Sequence, residues 1–120
     1  MILGQVRSRF PRVTLTLPGL NGSVEIEFIV DTAFDGDLAL PAALARRLDV
    51  QPAGQRGLSL ADGSLFVSGA CEIMLDWEGE PRLTEVLLLD GSPLLGAVLM
   101  EGFHLASDME QEGEVTLEPL

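Results

Sequence analysis

The chain has 120 residues, which fits one domain, 1–120, able to bury a core of its own. Asp and Glu outnumber Lys and Arg by 19 to 7, a formal charge of −12, which argues against nucleic acid and anionic membrane surfaces as partners. One cysteine and one histidine exclude an intrachain disulfide and a His/Cys zinc cage, so no metal and no cofactor is expected, and the lack of an apolar run of signal-peptide or membrane-spanning length makes a cytoplasmic location the expectation.

Val13, Leu15 and Leu17 alternate with Thr14 and Thr16, the period of a strand. "PGLNGS" then turns the chain, and Val24, Ile26, Phe28 and Val30 alternate with Glu25 and Glu27, so the two runs form a hairpin. At Ile29-Val30 the alternation gives way to residues apolar on both faces, the mark of a strand covered on both sides. A polar loop, "DTAFDGD", leads to a short apolar run, Leu38 to Leu40. Pro41 can open a helix without losing a needed N–H, and "AALARRL" continues it, with Arg46 and Arg47 where the helix dipole favours cations. "QPAG" ends that helix.

"GLSL", "ADGS" and "LFVSGACEIMLDW" read as a second hairpin, with Asp62-Gly63 at its tip and a long arm reaching Trp77. "EGEPR" is a turn and "TEVLLLD" a buried strand. In "SPLLGAVLMEG", Gly96 divides a short strand from one or two turns of helix that Gly102 can close. "FHLASDM" is a strand, "EQEGE" a loop, and "VTLEPL" a last strand. The halves are loosely alike: an apolar strand, a turn and a short helix occur through Val30–Leu48 and again through Leu89–Gly102. The sum is an all-β domain with one or two short helices.

One residue stands apart. A run apolar enough for burial, "FIV", ends in the carboxylate of Asp31. An aspartate at a strand end ordinarily serves its own turn, hydrogen-bonding the backbone two residues on. Asp35 and Asp37 read as loop-solvating acids, Asp62 as a turn residue, His104 as an edge-strand or structural residue, and Cys71 as a small packed side chain.

Four elements in order resemble the retropepsin-like aspartic proteases (clan AA), and more closely a group of small prokaryotic single-domain members with an Asp-Thr-Gly-Phe turn. They are Asp31–Phe34, Leu40-Pro41, the hairpin tip Leu60–Gly63, and Leu94–Gly96, and the resemblance spans roughly Val13 to Met109. It implies a closed β-barrel of the acid-protease type carrying half an active site per chain. The activity implied is an aspartic endopeptidase that hydrolyses a peptide or protein substrate as a homodimer. Asp31 would be catalytic. Thr32 would brace the two loops across the dimer, with Ala33, Leu95 and Gly96 supporting the catalytic loop. Phe34 and the residues Leu60, Ala61, Asp62, Gly63 and Ser64 would bind substrate beneath a covering hairpin. The terminal segments near Val6–Phe10 and Val115–Leu117 would pair across the dimer.

The chemistry explains why one chain is not enough. Two carboxylates about 3 Å apart cannot both ionise; they share a proton and so supply a base for water and an acid for the carbonyl. Neither "LLLDGS" nor "ASDM" repeats the Asp-Thr-small sequence, so the second carboxylate must come from a two-fold mate. The departure from the family pattern is Ala33, where Gly is usual. A positive φ there would strain an alanine; a negative φ would leave only a methyl crowding the site. The alternative reading is therefore a silent peptide-binding module on the same fold.

Overall fold

The computed structural model describes Met1–Leu120 as ten strands in one mixed sheet with two one-turn helices, an all-β chain. The first strands are β1 (Ile2–Arg7), β2 (Phe10–Gly19) and β3 (Gly22–Val30), followed by β4 (Leu38–Leu40) and α1 (Ala42–Ala45). A long hairpin follows, β5 (Gln51–Ser59) and β6 (Leu65–Trp77), then β7 (Glu80–Leu88), β8 (Leu94–Leu95), α2 (Ala97–Met100), β9 (Phe103–Ser107) and β10 (Glu114–Pro119). Neighbours in the sheet run β5-β6-β7-β4-β8-β3-β2-β1-β10-β9. No helix is long and apolar enough to cross a membrane.

The alternating residues explain the core. Val13, Leu15, Leu17, Ile26, Phe28 and Val30 from the first predicted hairpin are buried together with Ile73, Leu75, Trp77, Val86, Leu95, Val115 and Leu117. The intervening threonines and glutamates face outward or lie half-buried.

Two halves interlock at the centre. β3 runs parallel to β8, with Val30 beside Leu95, and β7 runs parallel to β4, with Leu88 beside Leu40. β4 and β8 meet antiparallel between them, Leu38 opposite Leu95 and Ala39 opposite Leu94. Each half thus lends its short strand to the other, an approximate internal two-fold that gives physical form to the likeness between Val30–Leu48 and Leu89–Gly102. The symmetry identifies Asp31's counterpart. The Asp31 N–H donates to the Leu95 carbonyl at 2.9 Å, and the Leu89 N–H donates to the Leu40 carbonyl at 3.0 Å. Where the first half presents a carboxylate, the second presents a leucine.

Several expectations are corrected. The sheet does not close into a barrel: β5 and β9 are its two free edges. The β5–β6 hairpin is exposed from Gln51 to Val67 apart from half-buried Arg56 and Leu58, and Leu60, Leu65, Phe66 and Val67 are among its exposed side chains. The helix from Pro41 stops at Ala45. Tertiary pairing overrides its propensity there, because Leu48 bridges to Gly19 and the Arg47 carbonyl accepts the Leu20 N–H. "QPAG" begins β5 and does not close a helix. The terminal segments pair within the chain, with β1 lying between β2 and β10. Ser8 and Arg9 both take positive φ, 50° and 72°, and so fold β1 straight back onto β2. Neither β1 nor β10 has an edge left for a partner.

Candidate active site

Asp31 follows the last residue of β3. Its backbone is clamped by the bond to Leu95, and its carbonyl accepts the Phe34 N–H at 3.2 Å, closing a tight turn. Carboxylate Oδ1 accepts the Ala33 N–H at 3.0 Å. That bond is what a turn aspartate commonly makes; what distinguishes Asp31 is the space in front of it. The residue is half-buried, and it lines a cleft of about 400 Å³ together with Ala33, Phe34, Asp35, Leu89 and Leu94 on one side. The opposite wall is the hairpin, Arg56 to Ala61.

Close backbone contact holds the turn. A side chain at Gly96 would put its Cβ 2.2 Å from the Gly36 carbonyl oxygen and 2.6 Å from the Phe34 ring, so only glycine fits. Leu95 is fully buried, and the Gly96 and Ala97 N–H groups donate to the Asp37 and Phe34 carbonyls at 2.9 and 2.8 Å. Phe34 is 8% exposed and packs with Ala39, Ala70 and Leu87. The predicted supporting pair Leu95-Gly96 therefore lies directly behind the Asp31 turn.

Ala33 is not among the residues with positive φ. Glycine is not required there, and the alanine turn is free of that strain. We expect Ala33→Gly to lower stability by about 0.5 kcal/mol through added freedom of the unfolded chain. Urea unfolding checks this, and a gain in stability would contradict the geometry. Thr32 is exposed and its hydroxyl makes no hydrogen bond within the chain, so any bracing role needs a second molecule.

Leu60 and Ala61 reach the cleft, whereas Asp62, Gly63 and Ser64 form the tip beyond it. Gly63 takes φ +84°, as the turn demands, and its N–H donates to the Leu60 carbonyl at 2.9 Å. Asp62 Oδ1 accepts the Ser64 hydroxyl at 2.5 Å and the Ser64 N–H at 2.9 Å, and these bonds hold its carboxyl below the usual aspartate range. A depressed value means the turn gains from ionised Asp62 above the ordinary aspartate pKa and loses that support as pH falls through the lowered one. Ser64→Ala removes the larger cause, so the Asp62 midpoint should rise in a carboxyl NMR titration; an unchanged midpoint would contradict this origin.

Two cations that the sequence did not single out organise the surroundings. Arg56, on β5, donates to Glu85 at 2.6 Å and to the Asp35 carbonyl at 2.5 Å, tying the hairpin to both β7 and the Asp31 loop. Arg82 donates to Asp37 Oδ1 at 3.0 Å, and the Glu85 N–H donates to Asp37 Oδ2 at 3.0 Å. Asp37 is thus 7% exposed and structural, a correction to its reading as a loop-solvating acid. Asp35 is exposed, His104 is exposed on β9, and Cys71 is partly buried against the core, as their sequence context suggests.

A larger hollow, about 580 Å³, lies at the far end between Met1, β2 and Trp77. In it Asp76 accepts the Gly79 N–H, a turn bond like that of Asp31 to Ala33, and Glu78 pairs with the Met1 amino group. The Asp31 cleft is the better candidate because its lining brings together Asp31, Ala33, Phe34, Leu60 and Ala61, the residues the sequence singles out. No family model, curated protein or solved structure matches the chain.

Proposed function

We propose that the chain is one half of an aspartic endopeptidase of the retropepsin-like type, completed by a second copy that supplies the second Asp31. The observation that carries this reading is the setting of Asp31: a rigidly clamped, half-buried carboxylate at a strand end, lining a cleft roofed by a hairpin. The interleaved β3, β4, β7 and β8 support the fold assignment, and Leu89 in the symmetry-related position supports the need for a mate.

In this mechanism the two Asp31 carboxylates share one proton. The ionised one takes a proton from water as its oxygen bonds to the peptide carbonyl carbon; the protonated one gives its proton to the carbonyl oxygen. The resulting gem-diol collapses, a proton passes to the amide nitrogen, and the C–N bond breaks. Leu58, Leu60, Leu89 and Leu94 favour an apolar substrate side chain beside the scissile bond and help exclude water. The backbone reason for a silent module loses force, since Ala33 carries no positive-φ strain.

The test is incubation with a mixed peptide library between about pH 3 and 7, near and above the range where carboxylate pairs exchange their shared proton. The expected result is cleavage beside apolar residues, read by mass spectrometry. Saturable binding without products over the whole range would contradict the proposal.

A further inference from the structure

The open sheet has two edges, and they differ. The β5 edge is blunted: it contains Pro52, a register break between Pro52 and Gln55, and Gly54 at φ +82°. These are the devices that keep a strand edge from pairing with another chain. The β9 edge has none of them. Its residues, Phe-His-Leu-Ala-Ser, include no proline, and its register with β10 is unbroken from Phe103 to Ser107. It also carries no acidic residue, in a chain of net charge −12.

The edge is firmly held. Phe103 packs on Trp77 with ring centroids 5.2 Å apart, and Leu105 packs against the core. Its bonding groups can be assigned from its neighbour. The Leu120 N–H donates to the Gly102 carbonyl and the Asp108 N–H to the Glu114 carbonyl, with His104 opposite Glu118 and Ala106 opposite Thr116 between them. In an antiparallel pair the bonded positions alternate, so the even-numbered residues of β9 face β10. The N–H and C=O groups of Phe103, Leu105 and Ser107 face outward, along an edge with no strand beside it.

We propose that β9 is the seam along which two copies of this chain join, antiparallel about a two-fold axis at Leu105. This rests on the reading that Asp31 requires a symmetric mate. Pairing Leu105 with the partner's Leu105, and Phe103 with the partner's Ser107, makes about six backbone hydrogen bonds from the groups just assigned. The symmetric mate that Asp31 requires favours a second copy over an unrelated peptide as the strand that pairs here. The seam is joined to the site through α2. Only α2, Glu101 and Gly102 separate β9 from Gly96, and the Val98 N–H donates to the Gly36 carbonyl of the Asp31 loop at 3.1 Å. Val98, 38% exposed, and exposed Ala97 and Ala33 lie between β9 and Asp31, with Glu101 the one exposed acid where α2 meets β9. The in-chain pairing of β1 with β10 removes the terminal strands from this role and leaves β9 to fill it.

In the proposed seam His104 lies opposite the partner's Ala106, a non-hydrogen-bonded pair whose side chains approach closely. Both positions are exposed, so charges can be placed there without disturbing the core. The double variant His104→Glu/Ala106→Glu sets like charges face to face twice across the axis; His104→Glu/Ala106→Lys sets opposite ones. Sedimentation velocity over a concentration series should show a wild-type dimer, self-association about tenfold weaker in the first variant, and association kept or strengthened in the second. Both variants dimerising like wild type, or both weakened equally, would overturn the β9 seam while leaving the paired Asp31 reading in place. A wild-type chain that stays monomeric throughout would overturn both.

Discussion

Asp31→Asn is expected to lower the rate of peptide hydrolysis by at least about 10³-fold, while leaving fold and self-association unchanged. The size follows from what is lost: in a symmetric pair one substitution removes both carboxylates, and with them the base that activates water and the acid that polarises the carbonyl, each worth about 10²–10⁴ in rate. The fold should survive because the amide oxygen of the substituted residue can still accept the Ala33 N–H, and the clamp to Leu95 is made by backbone. Initial rates on one cleaved library peptide measure the effect. Hydrolysis that persists in the variant would place the chemistry elsewhere.

The second large effect concerns stability. Arg82→Met is expected to cost about 3 kcal/mol, because it leaves the Asp37 carboxylate buried without its cation. Arg82 is itself a third exposed, which holds the loss at the lower end of the range for broken buried pairs. The Glu85 N–H still bonds Asp37, so the carboxylate keeps one partner. The Asp37 carbonyl accepts the Gly96 N–H, so loosening Asp37 also slackens the backing of the Asp31 turn. Urea unfolding should therefore show a much lower midpoint, and peptide cleavage should fall together with it. A change below about 1 kcal/mol, the range of surface pairs, would show that the Asp37–Arg82 pair does not hold the loop.

Much of this architecture is legible in local pattern. Period-two runs mark β2, β3 and the long arm of β6, and "FIV" ahead of Asp31 announces a covered strand that ends in a carboxylate. Turn residues place the hairpin tip at Asp62-Gly63, and Gly96 and Gly102 bracket α2. The features that escaped depend on distant partners. Asp37 reads as a solvated acid because Arg82 and Glu85, which bury it, lie more than 40 positions away. Arg56 is an ordinary cation in a polar stretch until the hairpin brings it to Asp35 and Glu85. β1 hides because its turn uses Ser8 and Arg9 at positive φ, with no glycine to flag it. The helix after Pro41 is cut short by the pairing of Leu48 with Gly19, a contact that propensity does not encode. Whether the sheet closes depends on its two end strands, and no local periodicity specifies that.

The central claim, that two Asp31 side chains act as one catalytic unit, is tested most directly by mixing. Wild-type chain and Asp31→Asn chain, co-refolded in equal amounts, should assort at random into dimers of which about one quarter carry both carboxylates. Activity at fixed total protein should then fall to about one quarter of the pure wild-type value. A fall to about one half, the result for chains that each work alone, would contradict the account.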